Sequence, residues 1–374
     1  MTDGLKLATL TCPAPLKTRD RILLGHGSGG KLSAELVRDI FLPAFGNPTL
    51  AQLNDQAVVQ VNGSRLAITT DSFVVKPLFF PGGDIGSLAV HGTINDLAVG
   101  GAQPLFLSVA FILEEGLSME TLQRVVNSLR SAANDAGVQI VTGDTKVVEK
   151  GKGDDLFINT TGIGIMPEGL ELSADQAQPG DKVILSGYIG DHGIAILAQR
   201  EGLEFETTIK SDSAALHGLV VEMLKVKYDG GTPLLGGVAS SSNSAPRAAT
   251  SIRCMRDPTR GGLSSTLNEI AGQSRVGIEI EEEMIPVRDD VRGACEMLGL
   301  DPLYVANEGK LVAIVVPDAA GELVKTMRQH PLGREARIIG TVTDKNAGLV
   351  TMRTTLGTTR IVDMLAGDQL PRIC

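Results

Sequence analysis

Four aspartates, Asp55, Asp71, Asp96 and Asp144, each sit beside a small residue or glycine, or at the end of an apolar strand. Such positions let a carboxylate face a cleft, although any one of them alone is equally a turn former or helix cap. Carboxylates that converge repel one another unless a cation lies between them. Magnesium takes about six hard oxygens, part from protein and part from water and phosphate. Upstream, Gly25-His26-Gly27-Ser28-Gly29-Gly30-Lys31 leads into a helical pattern from Leu32 to Phe41. Backbone N–H groups of Gly27, Ser28, Gly29 and Gly30 can approach a phosphate there, and a helix N-terminus behind them favours an anion. The spacing is not that of a Walker A loop. Lys146, just after a strand, and Glu308, in Asn307-Glu308-Gly309-Lys310, are suited to moving protons or polarising a carbonyl, or to a plain surface ion pair. His91 and Asn95 are four apart and share a face of a regular helix.

The sequence ends in Pro371-Arg372-Ile373-Cys374. Its last thiol lies beside the α-carboxylate, and Pro371 stiffens the approach. The tail is thus either a frayed end or a short mobile arm carrying a substrate on sulfur to a site elsewhere in the chain.

The elements that must position these residues mix helices and strands without strict alternation. Strand patterns cover Ala57–Val61, Leu66–Thr70, Pro104–Leu113, Val138–Thr142 and Leu156–Met166; helical ones cover Gly86–Val99 and Met119–Ala136. After a turn-rich connection, Pro167–Gly180, come strands Lys182–Ser186, Gly277–Ile280, Leu311–Val316 and Ala336–Thr343. Helices are expected from Gly190 to Arg200, over Ala214–Lys225, from Gly262 to Ala271, over Val287–Leu298 and over Ala320–Gln329, with a hairpin at Gly348–Met364. The fold class read from this is α+β, with two mixed domains of related build. The segments are an extended arm at 1–24, an N-terminal domain at 25–167, a C-terminal domain at 168–345 with a Gly/Ser/Ala/Pro-rich insertion at 229–250, and a hairpin with the tail at 346–374.

Composition narrows the function classes. The 374 residues suffice for two cores. A net charge of -10, no tryptophan and 3% aromatic residues argue against a nucleic-acid platform or a general polyanion binder. The four cysteines, Cys12, Cys254, Cys295 and Cys374, form no CxxC pair, which disfavours a zinc ribbon, a thioredoxin-like centre or a disulfide scaffold. No apolar leader or membrane-length run is present, so a cytoplasmic protein without membrane attachment is expected.

His-Gly-Ser-Gly-Gly-Lys (26–31), Thr-Asp-Ser-Phe (70–73), HGTINDLAVGGA (91–102), GDTKVV (143–148), GDHG (190–193), MRDPTRGG (255–262), NEGK (307–310) and the terminal PRIC (371–374) together resemble the HypE family of hydrogenase maturation factors, which act as carbamoyl dehydratases. The likeness runs in order along nearly the whole chain. The family belongs to an ATP-using superfamily with aminoimidazole ribonucleotide synthetase, thiamine monophosphate kinase and selenophosphate synthetase, and PRIC is its specific signature. The resemblance implies that a partner carbamoyltransferase, HypF, places a carbamoyl group on Cys374. ATP then activates the carbonyl oxygen, and dehydration leaves a thiocyanate that passes to a HypC–HypD scaffold for the iron of a nickel–iron hydrogenase. It implies ATP and Mg2+ as cofactors, with Gly27, Ser28, Gly29, Gly30, Asp71, Asp96, Asp144 and Thr145 at the nucleotide and Asp55, Asp71, Asp96 and Asp144 at the metal. Cys374, Lys146, Glu308 and His91 are the implied catalytic residues, in a homodimer whose N-terminal domains share a β-barrel. Two departures stand out: the 229–250 insertion is long, and Gln56 follows Asp55 where the family pattern has glycine. Other readings are a small-molecule kinase or selenophosphate synthetase-like enzyme, or a non-catalytic adaptor with a docking tail. A kinase has no use for Cys374, and selenium chemistry favours a cysteine near the glycine loop, where this chain has Ser28.

Overall fold

A computed structural model describes residues 21–203, 208–226, 250–367 and 372–374. The expected N-terminal arm up to residue 20, the expected insertion up to residue 249, and Pro371 lie outside the described residues. In the first half, α1 (Lys31–Leu36) passes through a π-helical turn at Val37–Phe41 into α2 (Leu42–Phe45). β1 (Ala57–Val61) and β2 (Ser64–Phe73) form a hairpin, and a small ribbon of β3 (Phe79–Phe80) and β4 (Gly83–Asp84) leads into α3 (Ile85–Val99). β5 (Gln103–Glu114), α4 (Met119–Asp135), β6 (Gln139–Val148) and β7 (Leu156–Ile165) follow. The sheet order is β1-β2-β7-β5-β6, with β6 parallel to β5 and the other pairs antiparallel. The parallel step requires the crossover that α4 supplies.

α3 is the central helix. Asp84 caps it, accepting from the N–H groups of Gly86 and Ser87. Its sequence is apolar nearly all round, so it must be covered on every side. Leu88 and Ile94 join the core beneath the first sheet, whereas Ala98 and Val99 join a core shared with Leu216, Leu219 and Met255 of the second half.

That half contains β8 (Lys182–Leu185), α5 (Asp191–Glu201), α6 (His217–Leu224), β9 (Ile252–Arg256), α7 (Gly262–Ser274), β10 (Gly277–Glu281) and α8 (Asp289–Leu298). β11 (Val312–Val315), α9 (Pro317–Gln329), β12 (Arg337–Thr343), β13 (Val350–Arg353) and β14 (Thr359–Ile361) complete it. The sheet order is β14-β13-β10-β12-β8-β11-β9. Val183, Leu185, Val312 and Ile314 enter one core while Ile184, Ala313 and Val315 enter the other. Covered faces on both sides explain why these strands are unbroken apolar runs. Each fully buried Leu, Ile or Val there contributes about 1.5–3 kcal/mol.

Three elements differ from their sequence patterns. β6 continues through Gly143-Asp144-Thr145-Lys146, which pair with Val109–Ile112 of β5, so this stretch is strand and not a loop at a strand end. The helix expected from Ala214 begins at His217, because Asn95 donates to the carbonyl of Ala214 and accepts from the N–H of Leu216. The C-terminal hairpin is no separate segment: β13 pairs in parallel with β10, with Ile278 opposite Val350, and extends the second sheet.

Candidate active site

The last three residues are packed into the body of the protein. Val74 N–H donates to an α-carboxylate oxygen of Cys374 (3.0 Å) and Lys76 N–H to the carbonyl of Arg372 (3.2 Å), so the tail adds to residues 74–76 as a short antiparallel segment. Ile373 is only 6% exposed and joins the core that contains Phe73, Val75 and Leu78. The Ile373 carbonyl receives a hydrogen bond from Nε2 of buried His192 (2.7 Å), so Nδ1 of the neutral ring accepts from Ser211 Oγ, also at 2.7 Å. Asp154 pairs with both Arg372 and Lys76.

Cys374 thereby reaches a small cavity lined by Asp71, Asp96, Asp257, Arg260 and Glu308. Asp71 lies near the end of β2 and Asp96 on α3; Thr93 donates to Asp71 (3.2 Å) and Thr69 to Asp96 (2.6 Å). Burial raises the pKa of Asp71. For Asp96, burial and then the neighbouring charges of Asp71, Asp257 and Asp55 push it well up. Asp257 is likewise raised, by burial and then by Asp55. The thiol of Cys374 is pushed up to about 12 by burial, against the opposing pull of Arg260. Asp55 stands at the edge of this group, 3.0 Å from Arg256, which also holds Glu269 at 2.7 Å. Gln56, the departure from the family pattern, lies over Gly100, where a β-carbon would come within 2.0 Å of its amide.

Glu308 is carried in from the second half and fixed through its backbone. Its N–H donates to Asp212 (3.1 Å) and its carbonyl accepts from Asn95 (3.1 Å). Asn307 accepts from Gly190 N–H and donates to the carbonyls of Pro258 and Val305, tying three loops together. Lys310 pairs with Asp212 at 3.0 Å. Burial, then Asp257 and Asp212, raise the carboxyl of Glu308 well above the usual range. Among the described residues, Glu308 Oε1 and Asp257 Oδ2 are buried without a hydrogen-bond partner.

The glycine loop meets this centre through Arg260, which donates to the Gly27 carbonyl at 3.0 Å. Gly29, at φ 73°, packs so closely that a β-carbon would lie 2.3 Å from the Arg260 carbonyl. Ser28 Oγ donates to the carbonyls of Gly25 and Gly367, Gly29 N–H to Ser33, and Lys31 N–H to Leu365. In this conformation the loop is braced against the segment before the tail, and Gly30 abuts Leu365. Asp144, Thr145 and Lys146 are elsewhere, on the exposed edge strand β6. There Lys146 pairs with Asp144 at 2.8 Å, and its hydrogen bond lowers the Asp144 carboxyl. His91 faces Ser213 (3.0 Å), not the cavity, and burial takes it down to about 4. Among the described residues no three His, Cys, Asp or Glu are arranged to hold a metal ion.

The cavity thus brings together Asp71, Asp96, Glu308 and Cys374. It adds Asp257 and Arg260, which the sequence did not single out although both lie in MRDPTRGG, and the tail-binding His192 lies in GDHG. Asp154 sits in a charged, glycine-rich loop that carries no signal of its own.

Family models of AIR synthase related proteins match the chain twice, the N-terminal domain over residues 53–166 and the C-terminal domain over 178–352. The carbamoyl dehydratase HypE of Azotobacter vinelandii is 56% identical over 93% of this chain and 96% of its own length. The chain belongs to the HypE family. A solved HypE–HypF complex superposes with a TM-score of 0.78 at 47% identity, covering 88% of this chain and 99% of the other. A HypE solved in complex with ATP gives 0.75 at 48% identity, covering 95% and 100%. No described helix is long and apolar enough to cross a membrane.

Proposed function

We propose that this chain, like its HypE relatives, is an ATP-dependent carbamoyl dehydratase that converts an S-carbamoyl group on Cys374 to a thiocyanate. The observation that carries this reading is the entry of Cys374 into a cavity holding one cation, Arg260, and several carboxyls with raised pKa values. Direct dehydration of the thiocarbamate would have to expel hydroxide. Transfer of the γ-phosphoryl group of ATP to the carbamoyl oxygen turns that oxygen into a phosphate leaving group. Loss of both nitrogen protons and cleavage of the C–O bond then leave the nitrile on sulfur, with ADP and phosphate as the other products. The protein's task is positioning and charge neutralisation. Glu308, its carboxyl raised by burial and then by Asp257 and Asp212, is suited to accept a proton from nitrogen, and Arg260 to offset the charge that develops on the phosphorylated oxygen.

The donor set fits magnesium accompanied by phosphate. Asp71 and Asp96 contact each other, Asp257 Oδ2 is buried and unpartnered among the described residues, and phosphate and water oxygens would complete the coordination. Asp71 and Asp96, with Asp257 or Asp55 beside them, would hold the ion, which when bound neutralises phosphate charge. The glycine loop borders the same centre through Arg260 and would cover the nucleotide once its contacts to Leu365 and Gly367 are released.

The reading includes a homodimer. Edge strand β6 exposes Ile140, Val141 and Val147, and Phe106 and Ile112 of β5 are exposed nearby; a second copy would cover this edge. Asp144, Thr145 and Lys146 would then work at that boundary. Val147→Asp should yield monomers in light scattering; an unchanged dimer would contradict this arrangement. HypF as carbamoyl donor, a HypC–HypD complex as acceptor and a cytoplasmic setting complete the proposal. The free thiols of Cys254, Cys295 and Cys374 accord with a reducing compartment.

Cys374→Ala tests the carrier role. The variant should bind ATP with magnesium as the wild type does in titration calorimetry, yet take up no carbamoyl group and pass no cyano group to the acceptor. Retained cyano transfer would sink the proposal.

A further inference from the structure

The docked tail is held by two kinds of contact. Ile373 and its bond from His192 are buried, whereas Arg372 is held at the rim by charge. We propose that Asp154 is a positioning residue that sets how long the tail stays docked, by bridging Arg372 of the tail and Lys76 of the segment on which the tail lies. The inference rests on the reading of Cys374 as a travelling carrier. Asp154 is a fixed partner: its side chain is 18% exposed, the carbonyl of the next residue, Asp155, accepts from Glu114 N–H, and Glu114 in turn holds Gly151 N–H. Arg372 is at φ 58°, a left-handed conformation that costs a residue with a β-carbon and persists where surrounding contacts impose it.

The sharing of one acid between two bases makes this hold reversible. When the tail leaves, Arg372 departs into water, but Asp154 keeps Lys76 and is not stranded as a lone, largely buried charge. A single partly exposed pair of this sort changes a docking equilibrium by a modest factor, about two- to fivefold. That suits a carrier that must both stay for chemistry and depart for its partners. A purely apolar anchor of the same segment would hold the thiol without responding to this rim.

The test is N-ethylmaleimide labelling of full-length protein without nucleotide, read by mass on the Asp368–Cys374 peptide released by cleavage before aspartate. The docked thiol faces the carboxyl-lined cavity and not open solvent, so labelling reports the extended tail. Asp154→Asn should label about two- to fivefold faster than wild type, Asp154→Glu close to wild type, with melting temperatures unchanged. On carbamoylated protein, Asp154→Asn should slow single-turnover conversion to thiocyanate by a similar factor while loading by the carbamoyltransferase is not slowed. Equal labelling of wild type and Asp154→Asn, or faster labelling in both variants together with a lower melting temperature, overturns the clamp. Absence of thiocyanate from the wild type instead overturns the carrier reading, and the labelling ratio still decides the clamp.

Discussion

Glu308→Gln separates the chemistry of the cavity from its architecture. The side chain is 2% exposed, its carboxyl is raised first by burial and then by Asp257 and Asp212, and Oε1 has no partner among the described residues. Glutamine keeps the shape, while Asp212 and Asn95 still grip the backbone of residue 308, so the fold and the docked tail should persist. A neutral amide also removes one of several buried acids that repel one another, and stability should not fall. What is lost is the proton acceptor. General base catalysis is worth about 10²–10⁴-fold, or about 3–5 kcal/mol of barrier. The assay is rapid-quench conversion of pre-carbamoylated protein with ATP, following thiocyanate by mass. Wild-type rates should rise with pH as Glu308 ionises, along a limb displaced upward from the ordinary carboxylate range, and the variant should lack that limb. Conversion by Glu308→Gln at the wild-type rate, with the same pH profile, would refute the assignment.

Two further outcomes follow from the same geometry. His91 is taken from 6.5 to about 4 by burial, with Asp84 and Asp135 opposing and His217 adding to the shift. The unfolded chain therefore binds that proton first. The contribution of His91 to stability is unchanged above about pH 6.5 and falls by about 3 kcal/mol as pH drops to about 4. In urea unfolding, His91→Gln, which keeps a bond to Ser213, should lose about 3 kcal/mol less than wild type over that range, and identical slopes would contradict it. Ile373→Ala removes about 2 kcal/mol of apolar burial from the docked tail, which should raise labelling of Cys374 by about thirtyfold; an unchanged rate would mean that Ile373 does not anchor the tail.

Part of this site was legible: of the four aspartates read as cleft residues, Asp71 and Asp96 line the cavity at Cys374, and Glu308, read as a proton-handling group or a surface ion pair, lines it too. Arg260 and Asp257 lay in plain view in a glycine-flanked motif. Their convergence on Asp71 and Asp96, far upstream in the sequence, depends on how the second half packs on α3, which local periodicity does not encode. Asp144 and Lys146 look the same in sequence whether they end a strand or continue it. The deciding partner is β5, and pairing with it puts them on an exposed edge away from the cavity. The start of α6 shifted for a similar long-range reason, since Asn95 captures the backbone at Ala214 and Leu216. The tail could be read as frayed or functional. The buried Ile373, His192 and the Asp154 pair show that its end has a built receptor on the protein, which an adaptor's outward docking peptide would not need.

The central claim is that the thiol of Cys374 carries the group that is dehydrated. Intact mass of the protein, with the Asp368–Cys374 peptide analysed in parallel, tests it most directly after incubation with HypF and a carbamoyl donor, and again after ATP and magnesium are added. The account predicts a gain of one carbamoyl group on that peptide, then loss of the mass of one water only when ATP is present. A carbamoyl group found on any other residue, or one that stays on Cys374 unchanged when ATP is consumed, would contradict it.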